Sequence, residues 1–467
     1  MQNGKVAEGN FDKRGRLRMR KPIDGSEQDA QDLQRAHTPP EKPGKKENWL
    51  TCLGPGLVTG AADDDPSGIG TYSANGAQFG YLLLWLVPFC IPLMIAVQEM
   101  CGRVGAVTGM GLAAVLKKHY PKWLLYTSVI LLVGANVFNV YADLNVMAAS
   151  AKLLFNVQFK VALTVIAIAV ATVQIFVPYR LYAKVLKWLC ISLAGYVVVA
   201  VLPGVHNNWA EIFKYTVVPH FDLKPETILA IVAFLGTTIS PYLFFWQAGE
   251  TVEEEVAAGH ADEPGHRVDR VTDKEIRNIR ADTTVGMIVS QAVAFFIIVA
   301  SAGSLHNMGK TQIDTAADAA NALRPIGPAA VGIFAICMIG TGLLAIPTLA
   351  GSVAYAVAEM GGWRYGLYRR FLRAKGFYLT IAIVVALGYA MNFIGAISPV
   401  KALVYSAALN GIVAPPLVVV LLLICNNKKV VGERTNQPAS NLFGWLTVAF
   451  MGPAAIYLLF AMATGKT

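Results

Sequence analysis

Long apolar runs and short polar connections alternate along most of the chain. Residues 1–48 are polar, rich in Lys, Arg, Pro and acidic residues, and contain no apolar stretch. From Leu50 onward eleven apolar segments follow, at 51–77, 80–101, 124–150, 158–177, 181–203, 226–247, 283–304, 327–357, 377–397, 400–424 and 441–463. Each is near or above the ~20 residues a helix needs to cross a bilayer. In a bilayer every backbone polar group must find an internal partner, so runs of this kind fold as helices. The pattern predicts an all-α membrane protein with about eleven transmembrane helices. It divides the chain into a flexible tail at 1–48 and a membrane domain at 49–467, and the tail offers no apolar run for a signal peptide.

Composition agrees and excludes other classes. Apolar residues make up 55% of the chain and charged residues 15%, against roughly 25% charged in a soluble domain. Mean hydropathy is +0.49. Soluble enzymes, disulfide scaffolds and disordered chains are excluded. The six cysteines form no CxxC pair and read as small apolar fillers. The net charge of +9 gains meaning from its placement. With the N-terminus inside and the segments alternating, 31 of the 39 Lys and Arg fall on the inner side and 8 on the outer side. Basic residues are held on the cytoplasmic side of a membrane. The bias predicts a multi-pass protein of the cell's inner (plasma) membrane, with a cytoplasmic N-terminus and an outside C-terminus. It leaves no basic surface that calls for nucleic acid.

Two segments are interrupted. The first contains GPGLVTGAADDDPSGIGTY and the sixth LGTTISPYLFFWQ. The dipeptides Asp65-Pro66 and Ser240-Pro241 are 175 residues apart. If repeat one covers about 50–203 and repeat two about 225–424, each break falls in the first helix of its repeat, and 441–463 is an extra helix. Paired interruptions at equivalent positions point to an inverted-repeat transporter of 5+5 helices with its site near the midplane. The plainer reading is that Pro and Gly are commoner in membrane helices in general.

A carboxylate at membrane depth is costly and normally functional. Asp63, Asp64 and Asp65 sit together at the first break. Carboxylates and the carbonyls freed by an unwound helix are hard oxygen ligands suited to Mg²⁺, Ca²⁺ or Mn²⁺. Asp65, next to Pro66, is the leading candidate ligand, with an N-capping role as the alternative. For Asp63 and Asp64, lining the site or capping competes with ligation. Asp143, in the third segment, lines an ion path or pairs with a buried base. Glu99 and Arg103 read as an i,i+4 ion pair. Isolated amides such as Asn139, Gln247, Gln291 and Asn410 read as interhelical hydrogen bonds rather than ligands, with Gln247 and Asn410 also candidate walls of the site or ion path. All seven histidines fall in the tail or loops, and no Met closely flanks either break. No nucleophile–base pair is visible, so an enzyme is not expected. Residues 248–282 read as a solvated linker, with a cation site at Glu253, Glu254 and Glu255 as the weaker alternative.

The stretch GPGLVTGAADDDPSGIGTYSANGAQFGYLLLW resembles the first helix of the Nramp family of divalent metal transporters and its entry to the second. VQEMCGRVGAVTGMGLA resembles the end of that family's second helix, and Ser240-Pro241 falls where the family has a Met-Pro-His break. The resemblance implies the LeuT-type fold and a metal site between broken helices 1 and 6. It makes the carbonyls of Ala62 and Thr237 candidate ligands beside Asp65. The departures matter as much. The family's motif Asp-Pro-Gly-Asn is here Asp65-Pro66-Ser67-Gly68, so the amide ligand is lost. Ser240 replaces the Met ligand, Tyr242 replaces a His, and a later His falls at Gln247. Asp143 is retained, while the Glu three positions on is Val146.

Losing sulfur removes discrimination in favour of soft metals, and Gly68 and Ser240 leave room for retained water. Mg²⁺ usually binds through one or two carboxylates with several waters kept. The sequence therefore predicts uptake of divalent cations, Mg²⁺ favoured and Mn²⁺ also carried, with weak or no proton coupling, most like the Nramp-related magnesium transporters. The metal is cargo; no cofactor and no obligate protein partner are expected, and the bilayer is the surrounding partner. A proton-coupled Mn²⁺/Fe²⁺ carrier using Asp65 and Asp143 is the alternative, and a Na⁺-coupled carrier of a small organic solute a more distant one.

Overall fold

Every apolar segment carries helix among its described residues. The structure is a computed structural model that describes residues 59–60, 62–177, 194–202, 205, 207–257, 260–263, 266–267, 271–394 and 397–464, all within a compact unit at 46–467. The tail at 1–48 lies outside the described residues. The membrane helices are α1 (Pro66–Phe79), α2 (Leu86–Thr108), α3 (Lys122–Phe155), α4 (Phe159–Phe176), α5 (Ala194–Val201), α6 (Pro225–Thr238), α7 (Pro241–Ala257), α8 (Asp273–Ser304), α9 (Ala330–Gly361), α10 (Lys375–Met391), α11 (Pro399–Asn426) and α12 (Pro438–Ala463). Of the fifth segment, most of 181–203 lies outside the described residues, and α5 is its visible part. Among the described residues eight helices, counting α6 and α7 as one, are long and apolar enough to cross a membrane, and α10 is a shorter apolar helix. A two-stranded hairpin, Ala261–Glu263 with His266–Arg267, interrupts the otherwise helical chain between α7 and α8.

Both interruptions fall where the sequence put them. Proline lacks an amide hydrogen and favours the first helical turn. Accordingly α1 restarts at Pro66 and α7 at Pro241. Residues 59–60 and 62–63 are helical ahead of the first break, and α6 ends at Thr238 ahead of the second. The third helices of the two repeats are long, 34 residues in α3 and 32 in α9, and they pack on each other. The first broken helix packs on α8 and α11, and α6 packs on α11. This last contact is backbone to backbone. A Cβ at Gly236 would lie 2.0 Å from the Ala407 carbonyl, and one at Gly411 would lie 2.3 Å from the Val232 carbonyl. Only glycine allows so close an approach.

Several helices run past their apolar segments. α2 continues to Thr108 and α8 begins at Asp273, ten residues before its expected start. Paired charges explain both extensions. Arg103 Nε meets Glu99 Oε1 at 3.0 Å, the expected i,i+4 pair, and Arg280 of α8 reaches the same carboxylate at 3.5 Å. Arg103 also donates to the Arg434 carbonyl at 2.5 Å and to Asn436, while Arg434 pairs with Asp273. This network ties α2, α8 and the connection between α11 and α12 at one polar end of the bundle.

Candidate functional site

The first break is built around one carboxylate oxygen. Asp65 adopts extended backbone, φ −74° and ψ 170°, and caps α1. Its Oδ1 accepts from the Gly68 amide at 2.7 Å and from the Ser67 hydroxyl at 2.7 Å. The capping alternative is thus realised, and it fixes the carboxylate at the mouth of the break. A carboxylate offers about four acceptor positions, so capping leaves capacity for a cation.

The second break closes against the first. The Ser67 and Thr237 hydroxyls stand 3.5 Å apart. A Cβ at Gly68 would lie 3.1 Å from Thr237 Oγ1, so α1 and α6 approach closely there. Ser240 donates to the Gly236 carbonyl at 2.7 Å and to the Thr237 carbonyl at 2.8 Å. Its proton is therefore held by the end of α6, and its oxygen keeps acceptor capacity. Tyr242 donates to the Ala62 carbonyl at 2.9 Å, bridging the two breaks. Both carbonyls expected as ligands, those of Ala62 and Thr237, accept one hydrogen bond each, and a carbonyl oxygen keeps a second lone pair.

The remaining expected residues divide. Gln247 accepts from Thr59 Oγ1 at 2.6 Å and holds the first half of the broken helix to α7. Asn410 of α11 exchanges amide bonds with Asn139 of α3, both at 3.2 Å. Asp143 lies one turn beyond Asn139, within Coulombic range of Asp65 and Tyr242. Both Asp143 oxygens are buried without a hydrogen-bond partner among the described residues. Asp63 and Asp64 turn to α8, where Ser290 donates to Asp63 Oδ2 at 2.6 Å and lies 3.4 Å from Asp64 Oδ1. Ser290 and Tyr72 were not singled out from the sequence. A serine or tyrosine in a membrane helix carries no distinctive signal, and only the packing of α8 on the first break reveals them.

The site is sealed. Asp63 and Asp143 are 0% exposed, Asp65 1%, and Asp64 4%. Ala62, Ser67, Thr237, Ser240, Tyr242, Gln247 and Asn410 are also buried. An enclosed group of carboxylates at two facing helix breaks has the chemistry to attract a cation, and inverted-repeat transporters place their sites at such paired breaks. The class these features define is an inverted-repeat secondary transporter.

The chain belongs to the Nramp family: the pattern described as "Natural resistance-associated macrophage protein-like" matches residues 56–461. It is a membrane transporter and not an enzyme. It is 25% identical over 443 residues to the "Divalent metal cation transporter MntH" of Chromohalobacter salexigens, covering 92% of this chain and 96% of that one. Its fold matches that of the Eremococcus coleocola manganese transporter at a TM-score of 0.69 and 17% identity, over 91% of this chain and 89% of that one. It also matches Mhp1, a nucleobase-cation-symport-1 family transporter, at a TM-score of 0.50 and 13% identity, over 88% and 93% of the two chains.

Proposed function

We propose that this divalent metal cation transporter favours Mg²⁺, carries Mn²⁺ as well, and binds the ion partly hydrated between its two broken helices with weak or no proton coupling. One observation carries the reading. Among the described residues, Thr237 and Tyr242 of the second break meet the first through oxygen, Ser240 beside Thr237 also offers oxygen, and none of the three offers sulfur or imidazole. An all-oxygen site suits hard cations and forfeits preference for soft ones. Asp65 is the charged ligand, the Ala62 and Thr237 carbonyls are neutral ligands, and Gly68 and Ser240 supply room and water contacts. Ser67, Tyr242, Gln247 and Asn410 line or brace the path. The distribution of Lys and Arg supports a cytoplasmic N-terminus, a tail at 1–48 on that side and an outside C-terminus.

A second reading has one observation in its favour. The unpartnered Asp143 carboxylate within Coulombic range of Asp65 suits a proton relay in a Mn²⁺/Fe²⁺ carrier. Uptake into proteoliposomes containing a pH dye separates the two. Mg²⁺ entry without internal acidification, and weak inhibition by Cd²⁺, are expected. Strong metal-linked acidification that Asp143→Asn abolishes establishes the second reading instead.

A further inference from the structure

The turn before Asp65 presents two carboxylates to a different neighbour. Asp63 and Asp64 are both buried, and the contacts described for them lie on α8, at Ser290. A serine hydroxyl carries one proton and satisfies one carboxylate oxygen at a time. Its short contact, 2.6 Å, is to Asp63 Oδ2. Among the described residues, Asp63 Oδ1 is buried with no hydrogen-bond partner, and no Lys or Arg pairs with either carboxylate. Tyr72 of α1 adds an independent feature. Among the described residues its fully buried hydroxyl has no hydrogen-bond partner, and it lies within Coulombic reach of both Asp63 and Asp64.

Adjacent buried carboxylates repel each other, and an unpaired buried charge costs several kcal/mol. Ser290 meets this pair with a hydroxyl, and the Tyr72 phenol and the Cys90 thiol of α2 lie within Coulombic reach of it. We propose that Asp63, Asp64, Ser290 and Tyr72 form a second cation site, on the α8 side of the broken first helix, that takes a hard divalent cation. Two carboxylates side by side carry two negative charges. A divalent ion balances them, whereas a monovalent ion leaves one charge buried and unpaired. The four proposed ligands all offer oxygen, two of them as carboxylates, which favours Mg²⁺, Ca²⁺ or Mn²⁺ over softer metals. The site stands whether or not Mg²⁺ is the favoured cargo, because none of its four residues is a proposed ligand beside Asp65.

Mn²⁺ alone is the probe, titrated into the full-length purified protein and counted by loss of its free electron paramagnetic resonance signal. The wild type is expected to bind two Mn²⁺ per chain, Asp65→Asn one, the Asp63→Asn/Asp64→Asn double variant one, and all three together none. One Mn²⁺ per wild-type chain, lost in Asp65→Asn and kept in the double variant, overturns the second site without touching the first. Two Mn²⁺ in the Asp65→Asn protein's place of one leaves Asp65 out of both and overturns the transport-site reading instead. Release of one of the two ions by about 150 mM Na⁺, but not by Mg²⁺, overturns the divalent assignment. If the double variant does not fold, Ser290→Ala replaces it. That change is expected to weaken one Mn²⁺ about tenfold, in line with loss of one polar contact, and Mn²⁺ affinities in Ser290→Ala unchanged from the wild type refute the proposal.

Discussion

Asp65 both caps α1 and is the proposed charged ligand, and two substitutions separate the roles. Asn at 65 keeps an Oδ1 able to accept from the Gly68 amide and the Ser67 hydroxyl, each now at 2.7 Å. Hydrogen bonds to a neutral acceptor are weaker than those to a charged one, so Asp65→Asn is expected to cost stability by about 1 kcal/mol or less. Ala at 65 removes the acceptor and leaves the Gly68 amide buried without a partner, at about 1–3 kcal/mol. The Ser67 hydroxyl recovers part of its loss by turning to Thr237 Oγ1, now 3.5 Å away. The order of thermal stability is therefore wild type, Asn, Ala. Transport follows a different order. At about 4 Å and an effective dielectric of 20, one charge pair contributes about 4 kcal/mol and a divalent ion about twice that. Even if hydration cancels three-quarters of it, the remaining ~2 kcal/mol is more than a tenfold loss of affinity. Both variants should lose Mg²⁺ and Mn²⁺ uptake in proteoliposomes, while only Ala falls clearly in a detergent melting assay. Wild-type uptake by Asp65→Asn would refute the ligand role. Equal melting of the Asn and Ala variants would refute the cap.

Three further outcomes are expected. Gly236→Ala places a Cβ 2.0 Å from the Ala407 carbonyl, about 1.5 Å inside normal contact, so α6 must shift off α11 and carry Thr237 with it; uptake should fall with a stability loss of about 1–3 kcal/mol or more, and unchanged uptake contradicts the placement of α6. Arg103→Met leaves Glu99, whose side chain is 3% exposed, with Arg280 at 3.5 Å as its remaining ion-pair partner among the described residues; a loss of about 1–3 kcal/mol is expected, partly restored when Glu99→Gln is added, as melting of the single and double variants will show. Asn410→Leu orphans Asn139, at about 1–3 kcal/mol, and Asn139→Leu in the same chain should recover most of it; a double variant that melts normally yet does not transport would give Asn410 a role in the ion path beyond this bond.

The sequence by itself determined the number and extent of the apolar segments, the two breaks and the candidate acids. These are properties of a single dimension: a run long enough to span, a proline that cannot donate, a carboxylate where hydrocarbon surrounds it. The Glu99–Arg103 pair was legible for the same reason, since four residues of helix bring the two side chains together. The helix ends were less so. α2 and α8 extend because Arg103, Arg280 and Arg434 find partners, and those partners are up to 333 residues away in sequence.

Only the tertiary structure decided which oxygens face which. Tyr242 reaches Ala62 across 180 residues, Gln247 reaches Thr59 across 188, Asn410 reaches Asn139 across 271, and Ser290 reaches Asp63 across 227. Three adjacent aspartates look alike in sequence. In the fold Asp65 turns into its own helix cap beside α6, while Asp63 and Asp64 turn to α8. The reason is geometric: adjacent residues at a helix end project in different directions, and the neighbour each one meets is set by how the broken helix packs between α6, α8 and α11.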